Sequence, residues 1–144
     1  MFFALKGDNF NGNKFAKDAI EKGACYVIID EEAYKTNEQF ILVDNVLETL
    51  QKLAKYHRNY LGLKVIALTG SNGKTTTKEL INAVLSKKFK TTATVGNLNN
   101  HIGVPLTLLS MDASTEIGIV EMGANHQKEI DFLCSIAQPD FGYI

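Results

Sequence analysis

The strongest chemical signal in this sequence is a glycine-rich turn between an apolar segment and an amphipathic segment. Glycines let the backbone curl so that successive N–H groups point at phosphate oxygens. A helix predicted to begin after the turn adds the positive end of its dipole at the same place. The sequence therefore predicts a phosphate-binding loop made of Gly70, Ser71, Asn72, Gly73, Lys74, Thr75 and Thr76.

Two side chains at the end of this loop suit a nucleotide and its metal ion. Lys74 supplies a mobile positive charge for the β- and γ-phosphates of ATP, and the Thr75 hydroxyl is a ligand for Mg²⁺. The pattern departs from G-x-x-x-x-G-K-[ST], because Leu68 stands where the first glycine would be. The alternative is a chance Gly/Ser/Asn turn, and the flanking strand and helix argue against it.

A carboxylate follows the strand predicted at 117–120. Glu121 comes directly after the apolar run 117–120, at the edge of the sheet where open α/β folds bind their ligands. There it can hold Mg²⁺ against nucleotide phosphates, directly or through water. A solvated loop acid is the alternative. Lys74 and Glu121 are thus the candidate catalytic residues, and Thr75 and Glu121 the candidate metal ligands.

Amide side chains cluster after the second predicted strand and again after Glu121. The segment 96–105 has three asparagines in four positions, and an Asn-His pair follows at 125–126. Amides offer donors and acceptors without charge, which suits a polar ligand. A cap and turn before a helix explains the first cluster equally well, and a structural role for His126 is equally open.

The other histidines and both cysteines are interpreted as structural. His57 falls on the apolar face of a predicted helix at 46–61, and His101 is assigned to the surface. Cys25 and Cys134 lie in or beside apolar patterns, which favours buried packing over a nucleophile. They form no CxxC pair, so the sequence predicts a reducing, cytoplasmic environment rather than a disulfide scaffold.

Composition excludes several classes of protein. The 144 residues carry 15 basic and 16 acidic side chains, a net charge of −1 that gives no reason to expect nucleic acid or an anionic membrane as partner. Apolar residues make up 45% of the chain, so a packed core is expected and disorder is not. No apolar run approaches the ~18 residues of a membrane helix. We expect a soluble intracellular protein.

From residue 63 onwards, strands and helices alternate. Strands predicted at 65–68, 91–95, 117–120 and 141–144 alternate with helical patterns after the loop, at 104–109 and at 127–137. The helix after the loop is expected to bury Leu80, Ile81, Val84 and Leu85. This order predicts an α/β fold with a P-loop-type, doubly wound parallel sheet and right-handed crossovers.

The first part of the chain predicts a small α/β unit. Strands are expected at 2–5, 25–29 and 40–43, with a turn at 7–12 and a helix at 13–22. We therefore divide the chain into a partial domain at 1–45, a connecting helix at 46–62 and a second partial domain at 63–144. The chain begins and ends inside predicted strands, which predicts that it is part of a longer protein.

Three stretches together resemble the Mur ligase family. They are the loop at 69–77, the asparagine-rich segment at 96–105 and the Glu-Met-Gly-Ala-Asn-His stretch at 121–126. The short loop without its first glycine is that family's own form of the motif. The segment at 2–15 resembles the family's N-terminal domain, which binds the UDP end of the substrate, although Asn11 and Asn13 stand where the family often has Asp and His.

The resemblance implies a reaction as well as a fold. The most similar members use ATP and Mg²⁺ to add D-Ala-D-Ala to UDP-N-acetylmuramoyl-tripeptide, through an acyl phosphate, in peptidoglycan synthesis. By the resemblance, Thr75 and Glu121 serve the metal. The full-length enzyme is expected to be a monomer, and this chain alone to be inactive, because family enzymes are considerably longer. The residues implied to face the muramoyl peptide are Asn97, Asn99, Asn100, Asn125 and His126.

Two other functions remain open at this point. One is a nucleotide-binding module without ligase chemistry, and the other is a generic P-loop phosphotransferase. A longer reading frame with the family's further catalytic residues favours the ligase. Turnover of a small phosphoryl acceptor without any muramoyl peptide favours the phosphotransferase.

Overall fold

The computed structural model of the chain describes residues 1–144, which form two compact units. The first unit is Met1–Leu50 and the second is Gln51–Ile144. The boundary between them falls inside one long helix, so each unit is described by itself. No helix in the structure has the length and apolar character needed to cross a bilayer.

The first unit contains a small parallel sheet and a hairpin. In chain order its elements are β1 (Phe2–Phe3), β2 (Lys6–Gly7), β3 (Phe10–Asn11), α1 (Ala16–Glu21), β4 (Val27–Ile29), β5 (Phe40–Leu42) and the start of α2 (Val46–Leu61). The parallel sheet has the order β1-β4-β5, and β2 pairs with β3 in antiparallel fashion. Its core comprises Ala4, Ala16, Val27, Ile29 and Phe40.

Two local predictions for this unit were wrong in detail. The segment predicted as a turn at 7–12 contains the β2–β3 hairpin, and the predicted helix at 13–22 begins as a 3₁₀ turn over Gly12–Phe15. The reason is local, because the Asn11 side chain accepts a hydrogen bond from the Asn13 backbone N–H at 3.0 Å. Such side chain-to-backbone contacts compete with a regular helix start.

The second unit is a parallel sheet with helices between its strands. After α2 its elements are β6 (Lys64–Leu68), α3 (Lys74–Leu85), β7 (Thr91–Ala93), α4 (Gly103–Leu109), β8 (Ile117–Glu121), α5 (Glu129–Ala137) and β9 (Phe141–Tyr143). All strand pairs are parallel, and the order across the sheet is β7-β8-β6-β9. The predicted α/β class and parallel doubly wound sheet are confirmed. In the register of β6 and β8, Leu68 lies beside Glu121.

The buried face of α3 differs from the prediction. Leu80 and Val84 are 63% and 70% exposed, whereas Lys78 is fully buried. Ile81 and Leu85 are partly buried, as expected. Positions 78, 81 and 85 follow helical spacing, so the stripe that faces the sheet is rotated by roughly 60° about the helix axis from the predicted one and includes a charged residue.

The cysteine prediction holds for one of the two residues. Cys25 is exposed, because β4 begins only at Val27 and leaves the cysteine in the bend before it. Cys134 is partly buried, with its Sγ 3.7 Å from the sulfur of Met122. Burial raises the pKa of the Cys134 thiol, and the negative charge of Asp131 raises that pKa further. Both cysteines are free.

An ion cluster ties β9 to the start of β6. Asp140 accepts hydrogen bonds from Lys64 Nζ at 2.8 Å, from the Val65 backbone N–H at 2.9 Å and from Arg58 Nη2 at 2.9 Å. The Asp140 backbone N–H in turn donates to the carbonyl of Val65. The bonds from Lys64 and Val65, with the charges of Lys64 and Arg58, lower the pKa of the Asp140 carboxyl from 3.8 to about 2.

We expect Asp140→Asn to lower the free energy of unfolding by about 1 kcal/mol at pH 7. This is less than the free energy that corresponds to the whole pKa shift, because the carboxylate is partly exposed and solvent screens its ion pairs. The folded-state pKa lies below the unfolded one. The stabilisation is therefore complete above about pH 4 and is lost as the pH falls towards the folded value of about 2. Urea unfolding of both proteins at several pH values measures this. Asp8→Asn, at an exposed turn, is the control; an equal effect of both substitutions would contradict the prediction.

Candidate functional site

The predicted phosphate-binding loop connects the carboxyl end of β6 to the amino end of α3. Gly73 has φ = 74°, a left-handed conformation that favours glycine, and α3 begins at the next residue. The ammonium of Lys74 donates to the carbonyl oxygen of Gly70 at 2.7 Å, so the lysine side chain lies across the loop. Because α3 begins at Lys74 itself, its first N–H groups, which have no partner within the helix, lie next to the loop.

Glu121 lies opposite the start of α3. It is the last residue of β8 rather than the first residue after the strand, and it is only 1% exposed. Its Oε1 accepts a hydrogen bond from Asn99 Nδ2 at 2.8 Å and a longer one from the Thr75 hydroxyl at 3.4 Å. Its Oε2 is buried without any hydrogen-bond partner. A buried carboxylate oxygen without a partner is costly, and a cation beside it removes that cost.

The donor set around Glu121 fits Mg²⁺. The carboxylate and the Thr75 hydroxyl are hard oxygen ligands, which this ion prefers. No group of three or more His, Cys, Asp or Glu side chains in the structure could hold a metal. A cation here would therefore depend on one carboxylate, one hydroxyl, phosphate oxygens and water, which is how Mg²⁺ commonly binds in nucleotide sites.

Most of the predicted ligand-contacting residues line one cavity of about 580 Å³. Its wall includes Lys74, Asn97, Asn99, Asn100, His101, Gly123, Asn125 and Glu129. His126 is exposed and does not line it. His101 is exposed, as predicted, and also lines this cavity. A second cavity of about 320 Å³ lies along the loop residues Gly70, Ser71, Asn72 and Lys74. Lys74 thus lines both cavities.

The three asparagines that follow β7 make different contacts; they are Asn97, Asn99 and Asn100. Asn100 accepts hydrogen bonds from the backbone N–H groups of Ile102 and Gly103 at 3.0 and 2.9 Å, so it caps the start of α4. Asn99 donates to Glu121, and Asn97 is exposed on the cavity wall. The cap interpretation therefore applies to Asn100, while Asn97 and Asn99 remain available to a ligand or its metal.

Glu129 orders the segment that carries Asn125 and His126. Its Oε2 accepts hydrogen bonds from the backbone N–H groups of both residues, at 2.6 and 3.0 Å. These two bonds lower the pKa of the Glu129 carboxyl. Glu129 was not among the predicted site residues. Its signal was a glutamate three positions after His126 at a helix start, the spacing of a capping box.

Two further buried polar residues behind the site were also missed. Lys78 donates to the carbonyl of Thr94 at 2.6 Å, and the Thr94 hydroxyl accepts from the backbone N–H of Glu121 at 2.9 Å. The available signal was position 78 itself, which lies three and seven residues before the apolar Ile81 and Leu85 and so shares their helix face.

Family models match most of the chain. Residues 68–144 match the Mur ligase middle domain, and residues 1–58 match the Mur ligase family, catalytic domain. The chain is 47% identical over its whole length to the UDP-N-acetylmuramoyl-tripeptide–D-alanyl-D-alanine ligase of Bacillus subtilis and 40% identical over 97% of its length to that of Escherichia coli. It spans 32% and 31% of those two proteins, about a third of their length.

Solved structures give the same result. A crystal structure of MurF from Acinetobacter baumannii superposes with a TM-score of 0.88 at 38% identity, covering 99% of this chain and 31% of that one. MurF ligase from Thermotoga maritima in complex with ADP superposes with a TM-score of 0.83 at 36% identity, covering 95% of this chain and 32% of that one. The match of residues 68–144 to a Mur ligase family model, together with these superpositions, shows that the chain belongs to the Mur ligase family.

Proposed function

We propose that this chain is the nucleotide-binding part of an ATP-dependent ligase that joins D-Ala-D-Ala to UDP-N-acetylmuramoyl-tripeptide in cytoplasmic peptidoglycan synthesis. The observation that carries the proposal is the unpartnered Oε2 of Glu121, buried opposite the first turn of α3 beside an amide-lined cavity. The choice of substrates is supported by the names of relatives that are up to 47% identical across the whole chain.

We assign residues 1–45 to part of the UDP-substrate domain, 46–62 to the connecting helix and 63–144 to part of the central ATP-binding domain. Two compact units with their boundary inside α2 support this division. So do the separate family matches to the first and last parts of the chain.

The loop is suited to hold the phosphates of ATP. Backbone N–H groups at Gly70–Gly73 and the start of α3 supply partial positive charge, and Lys74 supplies a full one. Thr75 and Glu121 would hold Mg²⁺, which when bound offsets negative charge on the phosphates. Asn99 keeps the Glu121 carboxylate oriented by donating to Oε1, while Oε2 has no hydrogen-bond partner.

The cavity lined by the asparagines is suited to the carboxylate that becomes activated. In the proposed reaction the tripeptide carboxylate attacks the γ-phosphorus and ADP leaves. The amine of D-Ala-D-Ala then attacks the acyl phosphate and phosphate leaves. Lys74 lines both this cavity and the loop cavity, so its ammonium can accompany the phosphoryl group during transfer. Asn97, Asn99, Asn100, Asn125 and His126 are our candidates for contacts to the muramoyl peptide.

The test uses both the full-length protein that contains this chain and the 144-residue chain. We expect the full-length protein to release ADP only when tripeptide and D-Ala-D-Ala are both present. We expect the chain alone to bind ATP without releasing ADP, because it spans about a third of the relatives that bear the ligase name. ADP and phosphate are measured by coupled assay, and ATP binding by calorimetry.

Other outcomes would overturn the proposal in identifiable ways. ATP binding by the full-length protein without amide formation would make it a nucleotide-binding module. ADP release with a small phosphoryl acceptor and no tripeptide would make it a phosphotransferase. Dipeptide-dependent ADP release by the 144-residue chain alone would show that the site is complete within these residues.

A further inference from the structure

Lys78 is a lysine buried completely within the second unit. It lies one helical turn beyond Lys74 on α3, and its side chain is 1% exposed. Its ammonium donates to the carbonyl oxygen of Thr94 at 2.6 Å and lies 2.8 Å from a carboxylate oxygen of Glu79, whose side chain is 62% exposed. Burying an ammonium costs free energy even when it is paired, so a lysine at this position calls for an explanation.

Thr94 connects this lysine to the end of β8. It follows β7 directly, it is 2% exposed, and its backbone N–H donates to the carbonyl of Ile119 at 2.9 Å. Its hydroxyl accepts the backbone N–H of Glu121 at 2.9 Å, and a longer contact of 3.5 Å joins it to the Thr107 hydroxyl. Lys78, Thr94 and Glu121 therefore form one buried chain of hydrogen bonds, which we call the Lys78–Thr94–Glu121 chain.

This chain joins the two elements that carry the candidate metal ligands. Thr75 and Lys78 are three residues apart on α3 and so share a face of the helix. Glu121 ends β8, and its carboxylate reaches Thr75 only through a long contact of 3.4 Å. That contact is too weak to fix the separation of the two oxygens by itself. The Lys78–Thr94–Glu121 chain joins α3 to the backbone N–H of Glu121 with bonds of 2.6 and 2.9 Å, and so fixes the residue that carries the carboxylate.

We propose that Lys78 is a positioning residue for the cation site, which it serves by holding Glu121 at a fixed distance from Thr75 through Thr94. The inference rests on the proposed function, since the cation is the one that accompanies ATP. Residues that orient a metal ligand in this way usually change metal affinity when they are substituted. A lysine that only satisfies the Thr94 carbonyl would contribute to stability alone.

The test compares ATP binding by the 144-residue chain with Mg²⁺ and with EDTA. We define the magnesium increment as the ratio of the two ATP affinities. Lys78→Met keeps the length of the side chain and removes the ammonium. We expect it to reduce the magnesium increment by about 10-fold or more, the usual scale for residues that orient metal ligands, while the affinity in EDTA changes by less than about 2-fold. Glu79→Gln, which alters only the exposed partner, is the control and should leave the increment unchanged.

A double-mutant cycle separates positioning from simple destabilisation. In a Glu121→Gln background, Lys78→Met should have no further effect on the magnesium increment, because both substitutions act through the same carboxylate. Thr94→Val should reduce the magnesium increment as much as Lys78→Met does. Thr94→Ser, which keeps the hydroxyl, should have the magnesium increment of the unsubstituted chain. Equal losses of ATP affinity in Mg²⁺ and in EDTA, or additive effects with Glu121→Gln, would overturn the proposal.

A measurement without nucleotide or metal keeps the inference separate from the proposed function. Hydrogen exchange by NMR reports the protection of the Glu121 backbone N–H, which donates to the Thr94 hydroxyl. We expect Thr94→Val to lower that protection selectively, leaving the β6 amides of Val65 and Ala67 protected. Lys78→Met should lower the protection of the same N–H if the variant folds. If it does not fold, the comparison of Thr94→Val with Thr94→Ser tests the inference. Failure of the unsubstituted chain to bind ATP would count against the proposed function, whereas unchanged Glu121 protection would count against the chain of hydrogen bonds.

Discussion

Lys74→Ala should weaken the binding of ATP to this chain by about 30- to 1,000-fold, corresponding to about 2–4 kcal/mol for removing one partner of a desolvated charge contact. The Lys74 ammonium lies 2.7 Å from the Gly70 carbonyl and lines both cavities, so no other cation in the loop can replace it. Loop N–H groups and the α3 dipole remain in the variant, which is why some residual binding is expected. Isothermal titration with ATP and Mg²⁺ measures the change.

The control for this variant is Lys87→Ala. Lys87 is an exposed lysine just beyond the other end of α3, so the substitution makes the same change in net charge far from the loop. Thermal unfolding of both variants should match that of the unsubstituted chain, since Lys74 contributes one hydrogen bond to an exposed loop. If Lys74→Ala binds ATP as well as Lys87→Ala does, the loop is not the phosphate site and the proposed function fails.

The loop and Glu121 were predictable because their signals are local. A glycine pair followed by Lys-Thr, placed between a buried strand and a helix, has few other physical uses, and the structure has β6 and α3 on either side of it. Glu121 could be assigned to the ligand-binding edge once the strands were known to be parallel. In both cases short-range sequence determines the backbone, and the backbone determines where the side chain lies.

The interactions that complete the site could not be predicted in the same way. Lys78 was missed because charge normally marks an exposed position, and only the sheet packed against α3 makes this one buried. The unpartnered oxygen of Glu121 depends on where Asn99 and Thr75 end in three dimensions, although they lie 22 and 46 residues away in sequence. Periodicity also misplaced Leu80 and Val84, since the apolar positions of α3 allow two adjacent stripes.

The turn that carries Asn99 is held in place by a close contact at Gly103. This glycine is the first residue of α4 and is buried. An ideal Cβ there would lie 2.2 Å from the carbonyl carbon and 2.4 Å from the Cα of Leu98, so any side chain would collide with backbone. Leu98 directly precedes Asn99, whose amide donates to Glu121. The space available at Gly103 therefore determines the position of an amide in the candidate site.

Gly103→Ala is accordingly expected to lower the free energy of unfolding by about 3 kcal/mol, the upper part of the range for overpacking, because the atoms in the way are backbone and cannot change rotamer. Whatever population remains folded must shift the 98–99 segment outwards and lengthen the bond from Asn99 to Glu121. We therefore expect the magnesium increment of ATP binding to fall as well. Urea unfolding and calorimetry measure the two effects.

Gly142→Ala provides the matched control, since this glycine lies in β9 of the same unit and an added Cβ would meet nothing within 4 Å. It should change the free energy of unfolding by less than about 1 kcal/mol and leave the magnesium increment unchanged. A small effect of Gly103→Ala would mean that the turn at 98–100 can move freely against α4. The position of Asn99, and with it the orientation of Glu121, would then have to be determined by the bound ligand rather than by the fold.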